Sequence, residues 1–94
     1  MAGRVILSAK AYVDIDRIVE FNNNRNKSDT YSKKFIKSLY QQLQILEDHK
    51  TVGIKTVEEN TYVLIWNQYY IFYHLTGHDV EISSIYHQKE NVSR

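Results

Sequence analysis

Apolar positions along this chain recur with two different periods, and the change of period divides it in two. From Arg4 to Ser8 the string RVILS is a short apolar run suited to a strand, and Ser8 is placed to cap a helix behind it. Ala11, Ile15, Ile18 and Val19 then follow at the spacing of one helical face, while Asp16, Arg17 and Glu20 fall toward water. The polar tract NNNRNKSD (Asn22 to Asp29) predicts that this helix stops at Asn22 to Asn24 and that a turn follows. A second helix is expected from Ser28 or Asp29, either of which can accept backbone N–H groups, to about Asp48. Ile36, Leu39, Leu43 and Leu46 form its apolar stripe, and Lys33, Lys34 and Lys37 project from roughly the opposite side. Two helices joined by a short turn predict a helical hairpin.

Past the stretch His49 to Asn60, read as a loop, the period becomes two. Aromatic and branched residues dominate TYVLIWNQYYIFYHL (Thr61 to Leu75), with Asn67 and Gln68 as the turn inside it. TGHD (Thr76 to Asp79) is a second turn signal, leading into VEISSIY (Val80 to Tyr86). The predicted order is β-α-α-β-β-β. The fold class is therefore α+β: an N-terminal strand, an α-helical hairpin and a three-stranded antiparallel run, with the helices packed on one face of the sheet.

Composition adds limits. A chain of 94 residues suits a single domain over 1–94, and 43% hydrophobic with 24% charged residues is the balance of a folded protein rather than a disordered one. No run approaches a membrane helix and the N-terminus lacks a signal peptide's apolar core, so a cytoplasmic chain with no membrane partner is expected. The absence of cysteine removes disulfides, thiolate nucleophiles and cysteine-based metal sites together. No histidine or carboxylate pair has a zinc spacing, so neither metal nor cofactor is expected. A formal charge of +1 says little about partners. Lys33, Lys34 and Lys37 with Arg25 and Lys27 form the one concentrated basic region, read as a solvated helix face or as a patch for phosphate backbones or an acidic partner.

The element order and several strings together resemble the RelE/ParE superfamily of toxins from type II toxin-antitoxin systems, most closely its ParE-like members. The strings are LSAKAYVDIDRIVEF in the first helix, YSKKFIKSLYQQLQIL in the second, VGIKT in the loop, and NQYYIFYHLTGHDVEISSIYHQKENV at the end. Within the last, Tyr69, Ile71, Phe72 and Tyr73 match a Tyr-x-Ile-Phe-Tyr strand, and His87, Gln88 and Lys89 match a terminal ending with Lys in place of Arg. The resemblance implies the same α+β fold, growth inhibition, an antitoxin partner and, for the ParE-like branch, DNA gyrase as target. RelE-like members are instead mRNA interferases that cut messenger RNA on the ribosome without a metal. That reaction needs a group to take the hydroxyl proton, a group to protonate the leaving oxygen, and cations at the phosphorane. At two positions where the resemblance implies arginine this chain has Tyr62 and Tyr70, which carry no charge near neutrality and cannot make a bidentate phosphate clamp.

The chemistry-bearing candidates follow from this. For a nuclease they are His87, Lys89 and Tyr86, with Lys50 and Lys55 in the loop before the sheet. For a docking surface they are Trp66, His74, His87, Gln88, Lys89, Lys33, Lys34 and Lys37. Trp66 is read as an exposed aromatic anchor beside a hairpin turn, His87 as a strand-end histidine that bonds locally or meets a partner, and His74 as a cross-strand neighbour. Tyr69 and Tyr73 are assigned to packing, and His49 and His78 to solvated loops. Three functions remain open: a gyrase-binding toxin, a ribosome-dependent endoribonuclease, and a non-toxic module that binds the antitoxin, with or without assembly into a larger oligomer. The missing guanidiniums lean against an enzyme.

Overall fold

A computed structural model describes residues 3–26 and 29–89, and within them seven elements follow one another: β1 (Val5–Leu7), α1 (Ala9–Asn26), α2 (Thr30–Asp48), β2 (Ile54–Lys55), β3 (Thr61–Trp66), β4 (Tyr69–Thr76) and β5 (Asp79–His87). The expected α+β order is present, with one strand more than predicted. The five strands form one sheet in the order β1-β5-β4-β3-β2, in which β1 runs parallel to β5 and the other pairings are antiparallel.

Ser8 caps α1 as its sequence position predicts, its Oγ accepting the Ala11 N–H at 3.0 Å. The helix does not stop at Asn22 to Asn24. It continues to Asn26 because the asparagines are tied into tertiary contacts: Asn22 is buried with its Nδ2 3.4 Å from Tyr69 Oη, and Asn23 Oδ1 accepts from the Ser32 hydroxyl at 2.6 Å. Packing overrides their weak helix propensity. At the start of α2, Asp29 occupies the cap position without a side-chain cap bond, its carboxylate lying instead 3.3 Å from Lys33 Nζ. Ser28, Lys27 and the terminal Glu90 and Asn91 lie outside the described residues.

On α2, Leu39 and Leu46 are buried as the stripe predicts, and Ile36 and Leu43 are half-buried against the same core. Phe35, outside the predicted stripe, is also buried, because its ring stacks on Trp66 at 5.5 Å. From the sheet, Ile71, Tyr73, Val80, Ile82 and Ile85 complete the core. A bulge shifts the β4–β5 register, so that Tyr73 faces Ile82 while Phe72 faces Ser84. The extra residue on β5 lets Ile82 and Ile85, three apart, both point inward.

The segment 49–60 is more ordered than a loop, and Tyr73 explains why. Its buried hydroxyl donates to Lys50 O at 2.8 Å and accepts the Gly53 N–H at 3.0 Å, which holds the chain against the sheet so that Ile54 and Lys55 pair with Val63 and Tyr62. Burial pushes the Tyr73 hydroxyl's pKa above its ordinary value. A Cβ on Gly53 would come within 2.8 Å of both Tyr73 Oη and Val63 O, so the approach requires glycine. Both turns fall where expected, with Asn67 at φ 53° and Gly77 at φ 62° supplying the left-handed residues.

Candidate functional site

Two groups of polar side chains stand at the C-terminal half of β5, and they are built differently. The first closes an edge. β1 pairs with β5 only as far as Ile82, so the next backbone groups of β5 face α1 without a strand opposite. Side chains from α1 take them: Asp14 Oδ2 accepts the Ile85 N–H at 3.0 Å, and the Arg17 guanidinium donates to Ile85 O at 3.0 Å. Asp14 is 1% exposed, with Lys10 Nζ at 3.0 Å and Arg17 also bonded to it. Burial raises the carboxyl's pKa, but the Ile85 N–H together with Lys10 and Arg17 outweighs it, and the group ends below the ordinary aspartate value. Lys10 also donates to Tyr86 Oη at 2.9 Å and lies over its ring, 4.7 Å from the centroid. Burial lowers the ammonium's pKa, and the bonds to Tyr86 and Asp14 more than reverse this.

The second group surrounds a cleft of about 420 Å³ where the C-terminal end of α1 and the first turns of α2 meet the β3–β4 turn. Phe35, Trp66 and Tyr69 form an aromatic cluster there, with Tyr69 meeting Phe35 at 4.8 Å and Trp66 at 4.9 Å. His87 closes one side, its ring edge-on to Tyr69 at 5.1 Å. Its Nδ1 accepts the Lys89 N–H at 3.0 Å, which fixes the ring proton on Nε2, 3.1 Å from Gln68 Oε1. The Gln88 N–H donates to Gln68 O at 2.7 Å and ties the chain after β5 to the turn. Arg25 and Lys34, both exposed, add the charge.

The structure brings together Trp66, His87 and Lys34 from the sequence candidates, with Gln88 and Lys89 exposed just beyond His87. It separates the others. Trp66 is a correction: it is 6% exposed rather than an open anchor, because its indole N–H donates to Ser38 Oγ at 2.9 Å and its ring is stacked under Phe35. His74 lies elsewhere on the sheet, with Nε2 2.8 Å from Glu81 and Nδ1 3.0 Å from Ser83 Oγ, the cross-strand role expected of it. Tyr86 belongs to the Asp14 group, so the proposed catalytic set is divided: its hydroxyl serves Lys10 while the His87 ring faces Gln68 and the Lys89 amide. Lys33 and Lys37 are exposed beside a separate shallow groove with Val19 and Ile36. Tyr62 stacks on Tyr73 at 5.4 Å, and Tyr70 stands opposite Ile65 and Tyr86.

Sequence reasoning missed the Asp14 group. The signal was present as Lys10, Asp14 and Arg17 at helical spacings of four and three. Among the described residues, no group of three or more histidines or carboxylates is placed to hold a metal ion, and no helix is long and apolar enough to cross a membrane.

The comparisons with known proteins agree with this architecture. The family model for the ParE toxin of the type II toxin-antitoxin system, parDE, matches residues 5–92. The chain belongs to the ParE toxin family. It is thus the toxin half of a type II pair, a ParE-like member of the RelE/ParE superfamily, and the family implies an antitoxin partner. Among solved structures, a chain described as the chromosomal ParDE TA system from P. aeruginosa aligns with a TM-score of 0.75 at 13% identity, covering 92% of this chain and 96% of that one. At that identity the likeness is one of fold. No curated protein sequence matches significantly.

Proposed function

We propose that this ParE-family toxin arrests growth by binding a protein, DNA gyrase, and does not cut messenger RNA. The observation that carries the reading is the placement of His87, the imidazole on which proton transfer would depend. It is 5% exposed, accepts the Lys89 amide on Nδ1 and faces Gln68 through Nε2. A general acid or base needs a nitrogen within reach of a substrate proton. Tyr86, the other candidate, has its hydroxyl on Lys10 at 2.9 Å. Tyr62 and Tyr70 reinforce the reading, since the first is a packing residue stacked on Tyr73 and the second sits in the sheet opposite Ile65. Neither supplies a cation for a pentacovalent phosphate.

In the same reading an antitoxin restrains the toxin by folding an acidic, partly apolar segment against it. The test is a paired assay with purified toxin. Gyrase supercoiling is expected to fall in proportion to toxin, with no codon-positioned cleavage of messenger RNA on ribosomes. Cleavage with gyrase fully active would replace this reading by the endoribonuclease one. Loss of both activities, with antitoxin binding intact, would make the chain a non-toxic family member.

A further inference from the structure

The cations of this molecule near β5 are unequally surrounded. Lys10 and Arg17 converge on Asp14, and Lys33 pairs with Asp29. Arg25 and Lys34 line a cleft whose lining contains no carboxylate among the described residues. The two cations come from different helices, and each is steadied by an aromatic ring: Arg25 lies 6.0 Å from the Phe21 centroid and Lys34 5.8 Å from that of Tyr31. Opposite them, the exposed amides of Asn67 and Gln68 at the β3–β4 turn offer donors and acceptors of the kind an extended peptide backbone uses. The inner wall is aromatic, and the Trp66 indole N–H is already bound to Ser38, so that wall offers an apolar surface.

We infer that this cleft seats a carboxylate side chain of the antitoxin, carried beside an apolar residue: the acid between Arg25 and Lys34, the apolar group against Phe35, Trp66 and Tyr69. This rests on the antitoxin reading above and names the place and chemistry of one of its contacts. A protein carboxylate fits better than a nucleic-acid backbone. The cleft holds two cations in a single pocket of about 420 Å³, not a row of them along an extended track. Its aromatic rings are also packed against one another, with Phe35 on Trp66 at 5.5 Å and an interplanar angle of 21°, not splayed to receive successive bases.

The cleft contains its own reporter, because Trp66 is the only tryptophan in the chain. The toxin is titrated with the protein encoded by the adjacent reading frame and, separately, with a 12-nucleotide single-stranded RNA, following Trp66 emission and affinity at two salt concentrations. Wild type is expected to bind the protein with a change in Trp66 emission. Lys34→Glu and Arg25→Glu are each expected to weaken binding roughly 10-fold to 100-fold, and Lys55→Glu, an equal charge reversal on β2, by less than about 3-fold. Replacing the seated acid of the partner with lysine should restore binding to Lys34→Glu and weaken it to wild type. If wild type binds the partner and all three reversals behave alike, the cleft assignment is wrong and the antitoxin reading stands. If wild type forms no complex, both fall. A Trp66 response to the RNA that is lost in Lys34→Glu, with no response to the protein, would overturn the inference in favour of nucleic acid.

Discussion

The two polar groups at the C-terminal half of β5 use the same kinds of side chain to opposite ends. In one, Lys10 and Arg17 surround a buried carboxylate whose own bond goes to the Ile85 N–H, and charge is consumed inside the fold. In the other, Arg25 and Lys34 face an open cleft with no carboxylate among the described lining residues. The difference is not one of residue type or of helix, since Lys10, Arg17 and Arg25 all lie on α1. It arises from what β5 presents to the helix at each turn. Where β1 ends, an unpaired strand edge must be satisfied and the side chains are drawn in. Beyond it the β3–β4 turn already ties β5 down through Gln68, and the cations are left outward.

Removing the buried acid should break the first group most severely. Asp14→Ala leaves the Ile85 N–H without its acceptor and two cations without their counter-charge, and is expected to cost about 2 to 4 kcal/mol in denaturant midpoint measurements. The cleft should behave otherwise. Arg25→Gln with Lys34→Gln is expected to change stability by no more than about 0.5 kcal/mol per site, as for exposed residues, while weakening the antitoxin complex. Equal losses of stability in the two variants would erase the distinction.

Acid sharpens the comparison on a smaller scale. The Asp14 carboxyl has a folded-state pKa below its ordinary 3.8, so its stabilising contribution is complete above that value and is lost as pH falls through the folded pKa. The stability gap between wild type and Asp14→Ala should therefore be constant near neutrality and narrow below about pH 4. A gap that stayed constant down to pH 2, or widened on acidification, would mean that the charge of Asp14 is not what holds the edge. The cleft double variant keeps Asp14 and its partners unchanged, so its acid limb should follow that of wild type.

Much of the fold was legible because it is written in period. The change from a helical repeat to alternation, the cap at Ser8 and the turns at Asn67 and Gly77 each have a local cause, and each was found where local reasoning put it. What was not legible is what distant packing decides. The asparagines of α1 read as a stop and became helix because Tyr69 and Ser32, far along the chain, engage them. β2 exists because Tyr73 reaches back to Lys50 and Gly53. Trp66, beside a turn, read as exposed, and it is buried by Phe35 and Ser38 of α2, far from it in sequence. At the candidate site the residue types were visible and their grouping was not. His87 and Tyr86 are neighbours in sequence, but alternation along β5 sends the imidazole toward Gln68 and the phenol toward Lys10.

The account turns on whether the His87 imidazole is a piece of packing or a carrier of protons, and one variant separates the two. Asparagine at that position keeps a short acceptor for the Lys89 amide but cannot exchange a proton near neutrality. Growth arrest on induction of His87→Asn, compared with wild type at matched expression and with folding checked by melting, measures this directly. Arrest retained within about 10-fold of the wild-type inducer requirement is the predicted result. Loss of arrest in a variant that melts like wild type and still binds the antitoxin, matching the roughly 100-fold to 10,000-fold effect of removing an acid–base group, would contradict it.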